Sequence, residues 1–198
     1  MPKVVDHERR RWEIAGAVWR AVGRQGIEAV TVRGIAEEAG FSTGVLAHYF
    51  EDKDALILHA LHVSIERMVE RMERLGGELT GFEALRAVLC EALPLDEERR
   101  EEFRILIGFW GRAVNNGALA AEQNYWYALW RGVVQASVEE GQRGGALRAD
   151  LDAGREADAL IALVDGTGVQ ATFDPERLTP EEQAALLDEQ LSRLRKDG

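Results

Sequence analysis

The side chains best suited to chemistry crowd into one stretch, Thr31 to Leu56, and their types suit binding, not catalysis. Hydroxyls and backbone N–H groups at the helix starts near Thr31 and Ser42 can hold phosphates, with Lys53 supplying charge and Tyr49 assisting. Thr43, Gly44, Val45 and His48 are short or polar enough to approach base edges or thymine methyl groups. Such a surface needs two short helices and a tight turn to present it. Thr31 suits an N-cap, followed by apolar Val32, Ile35, Ala36 and Ala39 at helical spacing. Gly40 gives the permissive backbone of a sharp exit, and Ser42 caps the next helix. Val45, Leu46, Tyr49 and Phe50 give that second helix one apolar side, leaving Thr43, Gly44, Ala47 and His48 outward. The spacing predicts a helix-turn-helix with helices over 31–38 and 42–49 that enters a major groove of double-stranded DNA.

The chain has 198 residues and a net charge of −11, an unusual balance for a DNA binder. Residues 1–62 hold eight Lys/Arg and nine Asp/Glu, a net of −1, so the remaining −10 belongs downstream. Local charge governs phosphate contact, and Lys3, Arg9, Arg10, Arg11, Arg33 and Lys53 can supply it. No apolar run reaches the length of a membrane span, and the N-terminus lacks the apolar core of a signal peptide, which predicts a cytoplasmic protein. The single cysteine, Cys90, excludes an intrachain disulfide and reads as a small apolar filler. His59 and His62 lie three apart on one helix without further ligands nearby, so no metal site or cofactor is expected.

Helical periodicity runs along the whole chain. A first helix over 8–24 carries Ile14, Ala15, Val18, Trp19 and Val22 on one side and stops at Gly23 and Gly26. A fourth, capped by Asp52, runs to Gly76-Gly77 and links the reading unit mechanically to the downstream domain. Five more are expected: 81–92; one from Asp96 to Asn115-Asn116-Gly117; 118–142; one from Asp152 to Asp174-Pro175; and one opened by Thr179-Pro180-Glu181-Glu182, a capping box with proline at the first helical position. The fold class is all-α, with about nine helices and no convincing strand. Residues 1–52 form the expected DNA-binding domain and 53–198 a helical effector-binding and dimerisation domain.

The ordered set Ile14-Ala15, Gly26, Thr31-Val32, Ile35-Ala36, Ala39-Gly40-Phe41-Ser42, Gly44, Leu46, Phe50, Lys53 and Leu56 resembles TetR-family transcriptional regulators. Many members carry Tyr where this chain has Ala47 and His where it has Tyr49. The run from Ser42 to Phe50 is more similar to the choline-sensing, betaine-pathway branch. The resemblance implies a regulator, most often a repressor, that leaves its operator when a small molecule enters the C-terminal domain and shifts the fourth helix.

One reading unit recognises few base pairs, so the function demands a homodimer presenting two units about 34–36 Å apart to a palindromic operator. The resemblance implies that the last two helices build it. Leu160, Val164, Gly168 and Ala171, with Leu187, Leu191 and Leu194, are the expected dimerisation residues, although the same residues could simply complete the monomer core. Aromatics concentrate at Trp110, Tyr125, Trp126, Tyr127 and Trp130. With Asp165 as counter-charge, Trp110, Tyr125, Trp126 and Trp130 are the expected effector site; Glu122 and Glu139 are further candidate carboxylates. Aromatic faces near acids suit a cation, and an uncharged hydrophobic effector fits equally. The alternative is a constitutive DNA-binding or interaction module without an effector. Neither a Ser/His/Asp order, HExxH nor a phosphate loop appears, so an enzyme is not expected.

Overall fold

The structure, a computed structural model, describes residues 3–75 and 79–196, and side chains for these except 3–8, 48 and 75. Nine helices succeed one another among the described residues: α1 (Lys3–Ala29), α2 (Val32–Ala39), α3 (Thr43–Tyr49), α4 (Lys53–Leu75), α5 (Gly81–Glu91), α6 (Glu97–Ala113), α7 (Gly117–Arg143), α8 (Ala153–Phe173) and α9 (Pro180–Ser192). The only strand-like pairing described is an isolated bridge between Leu147 and Arg195. The expected end of α4 at Gly76-Gly77 lies outside the described residues.

Local chemistry accounts for most boundaries. Asp96, Asn116, Asp152 and Thr179 each accept a backbone N–H from the first turn of the helix that they precede, satisfying donors that the helix cannot use internally. The first helix is longer than its periodicity predicts. It continues past Gly23 and breaks only at Gly26, whose φ of 76° and ψ of 157° are not helical.

Two apolar clusters organise the bundle. One joins Ile14, Val18 and Trp19 of α1 to Ile35 of α2, Leu46 of α3, Leu56, Ile57 and Ala60 of α4, and Ile105 and Phe109 of α6. The other packs Leu85 and Leu89 of α5 against Val134 and Val138 of α7, Leu160 and Val164 of α8, and Leu187 and Leu191 of α9. The boundary expected after residue 52 falls in the turn before α4, yet the first cluster runs straight across it. Helices α4 and α6 therefore share one packed core with α1, α2 and α3.

Leu160, Val164, Ala171, Leu187, Leu191 and Leu194, expected at a subunit interface, are all buried within the single chain, where they complete its own core. Gly168 shows this packing most clearly. A Cβ there would stand 2.3 Å from the Phe103 ring, so the small residue admits α6 of its own chain. Other side chains face outward on the last two helices, among them Phe173 and Leu186.

Candidate functional site: a DNA-reading surface and a ligand chamber

The reading surface is built by two caps and a left-handed turn. Thr31 Oγ1 accepts the Gly34 N–H at 3.1 Å, and Ser42 Oγ accepts the Val45 N–H at 3.3 Å. Between them Gly40 takes φ 73°, and its N–H closes α2 onto Glu37. This region of φ strains residues with a Cβ. Ile35, Ala36 and Leu46 are buried beneath, whereas Thr31, Arg33, Ser42, Thr43, Gly44 and Tyr49 are exposed. Val45 is half-buried. The side chain of His48 lies outside the described residues, as do those of Lys3 and His7.

Electrostatics fix the unit's orientation. Arg20 and Arg24 of α1 both bind Glu38 of α2, and hydrogen bonds from Arg24 and Arg20 hold that carboxyl at about 2, well below its ordinary 4.5. Arg33 pairs with Glu37 one turn on at 3.0 Å, a solvent-exposed contact that a phosphate can displace. Lys53 is less free than its sequence position implies. Its Nζ donates to the Glu28 carbonyl at 2.9 Å and only a fifth of the side chain is exposed, although an ammonium keeps two further donors. Arg112 of α6 binds Asp54 beside it and reaches Glu28 at 3.5 Å. The start of α4, the end of α1 and the end of α6 are thus tied by charge.

The second site is a chamber of about 380 Å³ among α4, α6, α7 and α8, within the range of small-molecule pockets. Leu61, Ile65, Met68 and Met72 of α4 form one wall; Phe103, Leu106 and Trp110 of α6, and Trp126, Tyr127 and Trp130 of α7, form others. Trp110 stacks on Tyr127 with centroids 6.3 Å apart. Asp165 of α8 closes the back and accepts the Tyr127 hydroxyl at 2.6 Å.

Four of the five expected effector residues therefore meet in one place: Trp110, Trp126, Trp130 and Asp165. Tyr125 does not. It is more than half exposed and stands edge-on to Trp126 outside the chamber. At about 100° per residue, Tyr127 shares the inner face of α7 with Trp126 and Trp130, and Tyr125 falls behind them. Of the other candidate carboxylates, Glu139 is exposed and bonded to Gln135. Glu122 stands behind the wall, accepting Trp126 Nε1 at 2.8 Å and contacting His62 Nε2 of α4 at 2.8 Å.

A buried charge network bordering the chamber is not evident from sequence patterning. Arg71 of α4 binds Glu91 of α5 at 2.6 Å and Glu102 of α6 at 2.8 Å, and Arg99 reaches Glu91 at 3.3 Å. Burial pushes the Glu102 carboxyl above its ordinary value even against Arg71. Burial works to lower the Arg71 guanidinium, but its bonds to Glu102 and Glu91 outweigh that and raise it. Glu102 is the better gauge of the network's cost, because a guanidinium stays protonated at any accessible pH. The remaining sequence candidates are accounted for by packing. His59 contacts the Arg11 carbonyl at 3.1 Å and burial lowers its pKa, whereas burial raises the Cys90 thiol, the wrong direction for a reactive thiolate.

Comparison with known proteins decides what these two sites belong to. Residues 16–60 match the model of bacterial regulatory proteins of the tetR family, and residues 82–196 match that of the BetI-type transcriptional repressor C-terminal domain. The chain belongs to the TetR family of transcriptional regulators. It is 33% identical over 183 residues to the HTH-type transcriptional regulator PksA of Bacillus subtilis, covering 91% of this chain and 87% of that protein. It is 26% identical to the HTH-type transcriptional regulator BetI of Vibrio parahaemolyticus, covering 98% and 96% of the two chains. In fold it resembles a putative transcriptional regulator from Saccharomonospora viridis crystallised with choline, with a TM-score of 0.86 at 23% identity over 96% of this chain and 100% of that one. This TetR-family regulator thus pairs an N-terminal helix-turn-helix with a BetI-type C-terminal domain, and among its described residues no helix is long and apolar enough to cross a membrane.

Proposed function

We propose that this regulator is a cytoplasmic homodimeric repressor that leaves a palindromic operator when a small molecule fills the chamber. The observation that carries the proposal is the double duty of α4. Its first turns pack into the cluster beneath α1, α2 and α3, and its middle, from Leu61 to Met72, walls the chamber. At about 1.5 Å per residue the helix is roughly 35 Å long, so a small tilt at one end displaces the reading surface at the other. His62 and Glu122 add a polar tie between α4 and the Trp126 wall.

Thr31, Arg33, Ser42, Tyr49 and the remaining donors of Lys53 would hold phosphates, with Thr43, Gly44, Val45 and His48 toward the bases. The outer faces of α8 and α9, carrying Phe173 and Leu186, would form the subunit contact as an isologous four-helix arrangement. The match of residues 82–196 to the BetI-type C-terminal domain supports reading the effector against that branch of the family. The choline complex of the Saccharomonospora viridis regulator makes a quaternary ammonium ion the first probe to try.

The test has two readouts on one titration. DNA selected from a random duplex pool is labelled, and its anisotropy is tracked together with the intrinsic Trp fluorescence while a compound library is screened. A compound that fills the chamber should change both signals with one midpoint and weaken DNA binding about 5–150-fold, the usual range of coupling between sites. Saturable quenching by chamber ligands with DNA affinity unchanged would instead make this a constitutive DNA binder.

A further inference from the structure

The three carboxylates that line the chamber are not equivalent. Glu91 and Glu102 are neutralised by Arg71, with Arg99 also on Glu91. Asp165 has a phenol hydroxyl for company, and among the described residues no arginine or lysine pairs with it. It faces a space walled by the rings of Trp110, Trp126 and Trp130, surfaces whose electron-rich faces attract cations. A single positive charge is what this end of the chamber lacks.

The exposed rim lacks something different. Val69, Leu129 and Val133 line the chamber, yet each is more than two-fifths exposed. They make an apolar lip where α4 and α7 open to water. Single exposed aliphatic residues are ordinary, but three on the rim of one cavity form a patch that gains from cover. The space itself, about 380 Å³, is far larger than a small tetraalkylammonium ion can fill.

We infer that the chamber takes an amphiphilic organic cation, an amine or quaternary ammonium group seated at Asp165 and carried on an apolar body long enough to reach the lip. The inference rests on the reading of the chamber as the effector site and names the class of effector. Burial already pushes the Asp165 carboxyl above its ordinary value, with the Tyr127 hydrogen bond pulling the other way, so a cation seated beside it relieves a charge that burial makes costly. The apolar body packs on Met68 and Met72, whose flexible thioethers conform to varied shapes.

The experiment uses the full chain and four probes: decyltrimethylammonium below its micelle-forming concentration, decanol, decanoate and choline. Binding is read by Trp fluorescence and by an upward melting shift, which separates site binding from detergent unfolding. The cation with the chain should bind at least about tenfold tighter than decanol, decanoate or choline. In Asp165→Asn, whose amide oxygen still accepts from Tyr127, that advantage over decanol should vanish while decanol binding is unchanged. Decanol, decanoate or choline binding as tightly as decyltrimethylammonium overturns the inference. So does an undiminished preference in Asp165→Asn, or the lack of a saturable response to any of the four. Operator release is scored separately. Selective binding without release sinks the regulatory reading and leaves the ligand class standing, whereas release by a compound of another class does the reverse.

Discussion

The reading unit and the chamber are made from the same kind of helix but handle polarity in opposite ways. Around Thr31 and Ser42, polar groups point to water and each cap is satisfied within three residues. Around Asp165, Glu91 and Glu102, polar groups point inward and find partners only on other helices, from 8 to 38 residues away. The first arrangement leaves hydroxyls and amides free to exchange water for phosphate at small cost. The second stores charge in a low-dielectric space, where adding or removing one partner shifts the energy by several kcal/mol. A surface built for DNA and a cavity built to discriminate among small molecules call for these two solutions. Helix α4 is common to both, which is what the proposed coupling of the two requires.

Breaking the network that bounds the chamber gives the largest expected effect. Arg71→Met leaves Glu91 and Glu102 buried with their main partner gone, and urea unfolding at neutral pH should show a loss of about 3–5 kcal/mol. The sign of its pH dependence is set by Glu102. Because its folded pKa is raised above 4.5, the folded state keeps a proton that the unfolded state gives up, and stability falls as pH rises through that window. The variant's deficit should therefore shrink toward acid. A deficit that grows as pH falls would mean that the buried carboxylate is not the cause.

Next in size is the close contact at Gly168. Gly168→Ala places a methyl group against Phe103 and should cost about 1–3 kcal/mol by overpacking, with the assembly state unchanged at concentrations where folding is complete. Phe173→Asp, on the outer face, should do the opposite and weaken self-association without lowering monomer stability. Sedimentation and chemical denaturation of the two variants distinguish these outcomes, and Gly168→Ala dissociating a stable chain would restore Gly168 to the interface.

In the reading unit the expected losses are smaller. Ser42→Ala removes one cap, for about 0.5–2 kcal/mol. Arg33→Ala exchanges an exposed pair, so stability should move by at most about 0.5 kcal/mol while DNA affinity drops for every sequence and the salt slope falls by about one phosphate. If Arg33→Ala instead weakened a single sequence, Arg33 would be reading a base. The smallest effect is that of Glu38→Gln. Hydrogen bonds from Arg24 and Arg20 depress the folded carboxyl from 4.5 to about 2, so its contribution is present at neutral pH and lost as pH falls through that interval. Wild type and variant should melt alike below it.

Legibility in the sequence divides along the same line. The caps at Thr31 and Ser42, the turn at Gly40 and the start signals at Asp96, Asp152 and Thr179 are local chemistry, and the structure places them where the spacing predicts. Whether Tyr125 or Tyr127 enters the chamber depends on how α7 is rotated against Asp165 of α8, which no window of sequence contains. Apolar spacing at Leu187 and Leu191 shows that a face is covered, and only packing shows that α5, α7 and α8 of the same chain cover it. The Arg71 network spreads single charges over α4, α5 and α6. Each looks like an ordinary surface residue until the helices are assembled. The nearest signal is an arginine set between Met68 and Met72 on a face otherwise apolar.

The most direct test of the account is the composition of the complex on DNA. Duplexes enriched from a random pool by the full-length protein should contain an inverted repeat with half-site centres about one helical turn, 34–36 Å, apart, and sedimentation of the protein on that duplex should find two copies bound together at a single cooperative midpoint. Enrichment of no inverted repeat, or one copy saturating the selected duplex, would contradict it.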